Sequence, residues 1–186
     1  MKCLYVYNPK SGKGKAEKKK KEIVEKLSSF FDELEVVKTN FSGHAKELAS
    51  SACGKYDYLV VAGGDGTLNE VVNGVAEKEG RPILGYIPLG TVNDFAHSVG
   101  IPRNINKAVH TICNGKPLSH EIFKAGDHYG IYVCAMGIAT DTSYATKQIA
   151  KKTLGKFAYF CYAFKRIFRY KPIPMTIQFD GGKIED

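Results

Sequence analysis

Asp57-Tyr-Leu-Val-Val-Ala-Gly-Gly-Asp-Gly-Thr-Leu-Asn-Glu-Val-Val-Asn-Gly74 decides the fold. Leu59, Val60, Val61 and Ala62 form a short, continuous apolar run rich in β-branched residues, the pattern of a strand covered on both faces in a parallel sheet. From Thr67 the period changes, because Leu68, Val71, Val72 and Val75 recur at helical spacing. Gly63-Gly-Asp-Gly66 is therefore the turn from strand to helix. Its three glycines permit backbone angles closed to other residues and leave no side chain in the way of a ligand. N–H groups at a helix start point outward with partial positive charge, so a phosphate fits there, and Thr67 adds a hydroxyl donor. Asp65 is the odd member: a carboxylate repels phosphate unless a divalent cation lies between them or it handles a proton. On these residues alone, a phosphate site and a tight turn in which Asp65 caps the helix are equally open.

The same strand, loop and helix unit recurs on either side. Cys3 to Tyr7 reads as a first strand, Asn8-Pro-Lys-Ser-Gly-Lys-Gly-Lys15 as its loop, and Ala16 to Phe31 as a helix with Ile23, Val24, Leu27, Phe30 and Phe31 on its apolar side. The loop has neither the Walker spacing nor that of the dinucleotide folds. Asn8 and Ser11 can donate hydrogen bonds and Gly12 and Gly14 admit an anion, while a surface turn with solubilising lysines is the plainer reading. Glu35 to Thr39 is a second strand and His44 to Cys53 its helix. Ile83 to Ile87 is a fourth strand, closed by Pro88-Leu-Gly-Thr-Val-Asn-Asp-Phe-Ala96, in which Asn93 and Asp94 could simply cap a helix. Such alternation predicts a Rossmann-like parallel sheet with helices on both faces, and ligands gather at the carboxyl ends of its strands, where all these loops fall.

At 186 residues, 44% hydrophobic and 25% charged, the chain is globular and not disordered. Its formal charge of +8 favours an anionic partner, and charge alone does not choose among nucleic acid, anionic lipid headgroups and polyphosphate. The five cysteines are scattered with no C-x-x-C, which suggests free thiols in a reducing cytoplasm, and the five histidines show no zinc spacing. Lys18 to Lys21 reads as the wet face of a helix. No apolar run approaches the roughly 18 residues that span a bilayer, so a cytoplasmic protein is expected.

Beyond Arg103 a helix over Ile105 to Cys113 precedes a change of pattern. Pro117 to Lys124 and Tyr129 to Met136 read as antiparallel strands about the turn Gly126-Asp-His128, which sets a domain boundary near residue 118. Ser143 to Tyr170 reads as a helix mixing aromatic and basic residues, suited either to a bilayer surface or to packing between domains. Ile173 to Phe179 then enters a hairpin turn at Asp180-Gly-Gly182. This last strand looks unfinished, so the expected organisation is an α/β domain over 1–118 and a partial antiparallel β-rich domain over 119–186.

Asn8-Pro-Lys-Ser-Gly12, Gly63-Gly-Asp-Gly-Thr67 with Asn69-Glu70, and Leu89-Gly-Thr-Val-Asn-Asp-Phe-Ala96 together resemble the diacylglycerol kinase catalytic family, particularly its soluble bacterial members. Thr39-Asn-Phe-Ser-Gly-His-Ala45 looks like that family's second nucleotide loop. Gly-Gly-Asp-Gly-Thr alone is shared with NAD kinases, whereas the other two motifs point to the lipid branch; a non-catalytic nucleotide- or membrane-binding fragment is the further alternative. The resemblance implies a nucleotide domain followed by a β-sandwich, incomplete in this chain, and transfer of the γ-phosphate of ATP to the hydroxyl of diacylglycerol or a related lipid, giving phosphatidate. It also implies that Asn8, Pro9, Lys10, Ser11, Gly12, Thr39, Gly64, Asp65, Gly66, Thr67, Leu68, Asn69, Glu70 and Thr91 hold the nucleotide, and that Asp65 and Asp94 serve catalysis by organising Mg2+ through water. Glu121 stands where relatives usually have Asp. The family's usual proton acceptor, in a Gly-Asp-Gly-Glu-like segment toward the C-terminus, has no counterpart in this sequence. The implied partners are ATP and a lipid acceptor at the anionic inner face of the membrane, with peripheral attachment and no nucleic acid; a homodimer is left open.

Overall fold

The computed structural model describes residues 1–134, 176–179 and 182–185. It divides into two compact units, Met1–Val133 and Cys134–Asp186. In the first, β1 (Lys2–Tyr7), β2 (Glu33–Lys38), β3 (Tyr58–Gly63) and β4 (Ile83–Pro88) form a parallel sheet in the order β2-β1-β3-β4.

Alternate residues of each strand supply two cores. Cys3, Tyr5, Tyr7, Val60 and Ala62 meet Ile23 and Leu27 of α1 (Ser11–Ser28) and Ile105 and Val109 of α5 (Ile105–Asn114) on one face. Leu4, Val6, Leu59 and Val61 meet α2 (His44–Ala52), α3 (Asp65–Val75) and α4 (Asp94–Ser98) on the other. Both faces are covered, as the apolar run at Leu59 requires. Gly74 lets α3 lie against α2, since a Cβ there would stand 2.4 Å from the Lys46 carbonyl oxygen.

The antiparallel element is shorter than its sequence pattern suggests. Among the described residues β5 (Phe123–Ala125) pairs with β6 (His128–Gly130), and residues 117–122 are exposed and form no strand, Leu118 being 90% exposed; residues 135–136 of the expected second strand lie outside the described residues. Asn73 of α3 anchors this hairpin as a strand would, its Nδ2 donating to the Tyr129 carbonyl at 2.8 Å and its Oδ1 accepting the Tyr129 N–H at 2.8 Å. The first helix ends at Ser28 rather than Phe31; Phe30 and Phe31 still fold back to bond the Leu27 carbonyl. Within the lysine run, Lys20 is half-buried and lies over the Tyr7 ring instead of facing water. In the second unit, the strand expected to enter a turn is β7 (Thr176–Phe179), and it has an antiparallel partner in β8 (Gly182–Glu185). The expected helix over 143–170 lies outside the described residues. Among the described residues every cysteine is free and no helix is long and apolar enough to cross a membrane.

Candidate active site

The strand order reverses direction between β1 and β3, and in open α/β sheets the crevice at that point is where ligands lie. Asn8 follows β1 and the glycine turn follows β3. Asn8 N–H donates to the Ala62 carbonyl at 2.9 Å, and its Nδ2 donates to Thr67 Oγ1 at 3.2 Å. Its Oδ1 accepts the Lys10 N–H at 3.0 Å, which curls the loop back on itself.

The turn after β4 closes the triangle. The Gly63 carbonyl accepts the N–H groups of Leu89 at 2.7 Å and Gly90 at 3.0 Å. A Cβ on Gly90 would come within 2.5 Å of the Gly64 Cα, and one on Gly12 within 2.4 Å of the Leu89 carbonyl oxygen. The third turn therefore touches the other two through main chain that no larger residue would allow to approach, while the first and second turns meet through the Asn8 and Thr67 side chains.

Asn93 locks the third turn. It is buried with φ 59°, accepts the Gly90 N–H on Oδ1 at 2.8 Å and donates from Nδ2 to the Gly90 carbonyl at 2.9 Å. It stands at the N-cap position of α4, but its side chain makes no cap hydrogen bond there. The Tyr86 hydroxyl lies 3.3 Å from both the Gly63 carbonyl and Asn93 Oδ1. Burial, and then the nearby Asp65 carboxylate, push that hydroxyl above its ordinary value, so it stays a protonated donor. Neither side chain's role was visible in the motif itself.

The residues singled out from sequence are distributed as follows. Gly64, Asp65, Gly66 and Thr67 form the entrance of α3, which no side chain caps. A Cβ on Gly66 would meet nothing within 4 Å, so the space above that turn is open. Asp65 reaches away from its own helix and accepts the Phe95 N–H at 3.4 Å, which brings it to the entrance of α4 beside Asp94. Leu68 belongs to the core, and its N–H is already bonded to the Gly64 carbonyl. Asn69 is exposed on α3, where its carbonyl accepts from Asn73. Glu70 is occupied at the entrance of α2, accepting Ala45 N–H at 3.3 Å and Ser42 Oγ–H at 3.5 Å. Pro9, Lys10 and Ser11 line the loop after β1, and Gly12, Lys13 and Gly14 all take left-handed angles there. Thr39 is buried at the end of β2, its N–H on the Tyr7 carbonyl at 2.9 Å. Thr91 is exposed, and Arg103 holds its loop by donating to the Thr91 and Val92 carbonyls at 3.1 and 2.8 Å.

Among the described residues no group of three or more His, Cys, Asp or Glu side chains could enclose a metal. Asp65 and Asp94 stand on one rim as oxygen donors of the type that hard divalent cations take.

Comparison with known proteins agrees with this arrangement. A family model for the diacylglycerol kinase catalytic domain matches residues 2–125, which contain all three turns. Diacylglycerol kinases of Staphylococcus aureus strains bovine RF122 / ET3-1 and MRSA252 are each 40% identical over 178 residues, 95% of this chain and 56% of theirs. A crystal structure of a diacylglycerol kinase from Bacillus anthracis str. Sterne superposes with a TM-score of 0.75 at 32% identity, over 100% of this chain and 61% of that one. The chain thus spans little more than half the length of these relatives. With the matched region coinciding with the sheet and its three interlocked turns, the chain belongs to the diacylglycerol kinase catalytic domain family.

Proposed function

We propose that this chain forms the nucleotide-binding part of an ATP-dependent lipid kinase, which transfers the γ-phosphoryl group of ATP to the hydroxyl of diacylglycerol or a related lipid and yields phosphatidate. One observation carries the proposal: the turns after β1, β3 and β4 meet at the strand-order reversal and leave open space over the uncapped entrance of α3. Family membership and relatives named diacylglycerol kinase support the reaction class.

Phosphoryl transfer asks chiefly for alignment and for neutralised phosphate charge. Main-chain N–H groups of Gly64 to Thr67 face the phosphates, and Asn8 orients Thr67 beside them. Thr91 closes the grip from the third turn. Asp65 and Asp94 would hold a divalent cation, magnesium, through water. When bound, that cation neutralises charge on the phosphate oxygens. An anionic inner membrane face would deliver the acceptor to a chain of net charge +8, which fits peripheral attachment.

Labelled ATP, magnesium and diacylglycerol in mixed micelles with the intact protein test the reading. Labelled phosphatidate is the expected product. Transfer to NAD instead would assign the chain to a different acceptor, and transfer to no lipid would defeat the proposal.

A further inference from the structure

Asn73 lies within α3, although asparagine is a poor helix former. Its half-buried amide is fully used. Nδ2 donates to the Asn69 carbonyl at 2.9 Å and to the Tyr129 carbonyl at 2.8 Å, and Oδ1 accepts the Tyr129 N–H at 2.8 Å. The two bonds to Tyr129 copy the pairing of a strand, which demands a donor and an acceptor side by side at this reach. Leucine has neither, aspartate lacks the donor and glutamine is one methylene too long. The amide thus fixes the β5–β6 hairpin to the helix in one register.

What the hairpin reaches gives that grip a consequence. β6 leads directly into Ile131, whose carbonyl accepts from His120 Nε2 at 3.0 Å. The His120 ring stands edge-on to Phe95, with centroids 5.1 Å apart. Phe95 in turn donates its N–H to Asp65 at 3.4 Å, at the entrance of α4 beside Asp94. The contacts close a circuit from Asp65 along about two turns of α3 to Asn73, across to Tyr129 and Ile131, and back through His120 and Phe95. All of it lies within Met1–Val133. His120 is exposed, so its ring depends on the bond to Ile131 to stay on Phe95. We propose that Asn73 is a positioning residue for phosphoryl transfer: by clasping the hairpin to α3 it keeps His120 on Phe95, and Phe95 keeps Asp65 at the α4 entrance beside Asp94. The inference rests on the kinase reading above and adds to it a residue that touches no substrate. The three phosphate turns are bonded to one another without Asn73, so turnover and nucleotide affinity part company when the clasp is lost.

Transfer from ATP to diacylglycerol in mixed micelles by the intact protein, with calorimetry and amide NMR on the same samples, tests this. Asn73→Leu keeps the bulk and removes all three bonds. It should lower kcat at least tenfold, leave ATP affinity within about threefold of the parent and move the Phe95 amide resonance. His120→Ala should also lower kcat with the melting temperature nearly unchanged. The double variant should be no slower than Asn73→Leu, because both residues act through one chain of contacts. Turnover of Asn73→Leu within about twofold of the parent, or a loss of ATP affinity as large as its loss of kcat, would overturn the proposal. So would an unmoved Phe95 resonance or additive effects in the double variant. If the parent transfers phosphate to no lipid, the kinase reading falls, and the Phe95 resonance in Asn73→Leu still decides whether the clasp reaches Asp65. Should Asn73→Leu not fold, as judged by circular dichroism, His120→Ala decides alone, unchanged kcat overturning the proposal.

Discussion

Gly64 and Gly90 hold the turns after β3 and β4 at main-chain contact, for a Cβ on Gly90 would stand 2.5 Å from the Gly64 Cα and 2.6 Å from Asn93 Oδ1. Neither neighbour can yield cheaply, since one is backbone and the other is bonded to Gly90 itself.

Gly90→Ala should therefore cost stability, about 1–3 kcal/mol as for other overpacked sites, together with ATP affinity. Gly66→Ala is the informative contrast. Its Cβ would meet no protein atom, and alanine in the first turn of α3 should add about 0.5–1 kcal/mol of stability. Because that Cβ would enter the open space assigned to phosphate, ATP affinity should fall at least tenfold. Thermal melts and calorimetry on the pair check both, and unchanged ATP affinity in Gly66→Ala would place the phosphates elsewhere.

Asp65→Asn keeps the oxygen that accepts the Phe95 N–H and removes only the charge. Transfer should drop at least a hundredfold while the melting temperature stays within a few degrees. Steady-state turnover near the parent value would take Asp65 out of the mechanism.

Removing Asn93 separates conformation from hydrogen bonding. Asn93→Ala takes away the donor to the Gly90 carbonyl, at about 1–3 kcal/mol, while the Gly90 N–H keeps the Gly63 carbonyl; it adds about 1 kcal/mol for an alanine at φ 59°. Asn93→Gly escapes the second cost. Chemical denaturation should rank the stabilities parent, Gly, Ala, and equal losses in the two variants would show that the left-handed angle is not retained.

Glu77 joins the far end of α3 to the hairpin, accepting from Lys124 Nζ at 2.9 Å and from the Tyr129 hydroxyl at 2.6 Å. The Lys124 bond first, then Tyr129, hold its carboxyl below the ordinary 4.5. A carboxylate with a depressed folded value stabilises the fold fully above pH 4.5, and that contribution disappears as pH falls through the lower folded value. A carbon-detected NMR titration should place the Glu77 midpoint below 4.5, and Lys124→Met should raise it. A midpoint at or above 4.5 in the parent would dissolve the contact.

Much of this was legible in the chain because burial and period leave direct marks. Leu59 to Ala62 had to be covered on both faces, and the period change at Thr67 fell within two residues of the helix start at Asp65. The carboxyl-edge placement of the loops followed from β/α alternation. What stayed hidden is decided by partners distant in sequence. Asn93 reads as a cap until Gly90 and Tyr86 are seen to need it. Glu70 stands in a nucleotide motif, yet α2 engages its carboxylate. Residues 117–122 alternate plausibly for a strand and form none, since no strand among the described residues pairs with them.

Backbone amide NMR of the isotope-labelled intact protein, titrated with magnesium and ATP, addresses the three-turn grip head-on. Resonances of Gly64 to Thr67, of Ser11 and Gly12 and of Thr91 should all move with one shared midpoint. Perturbations confined to a single turn, or none at millimolar ATP, would contradict it.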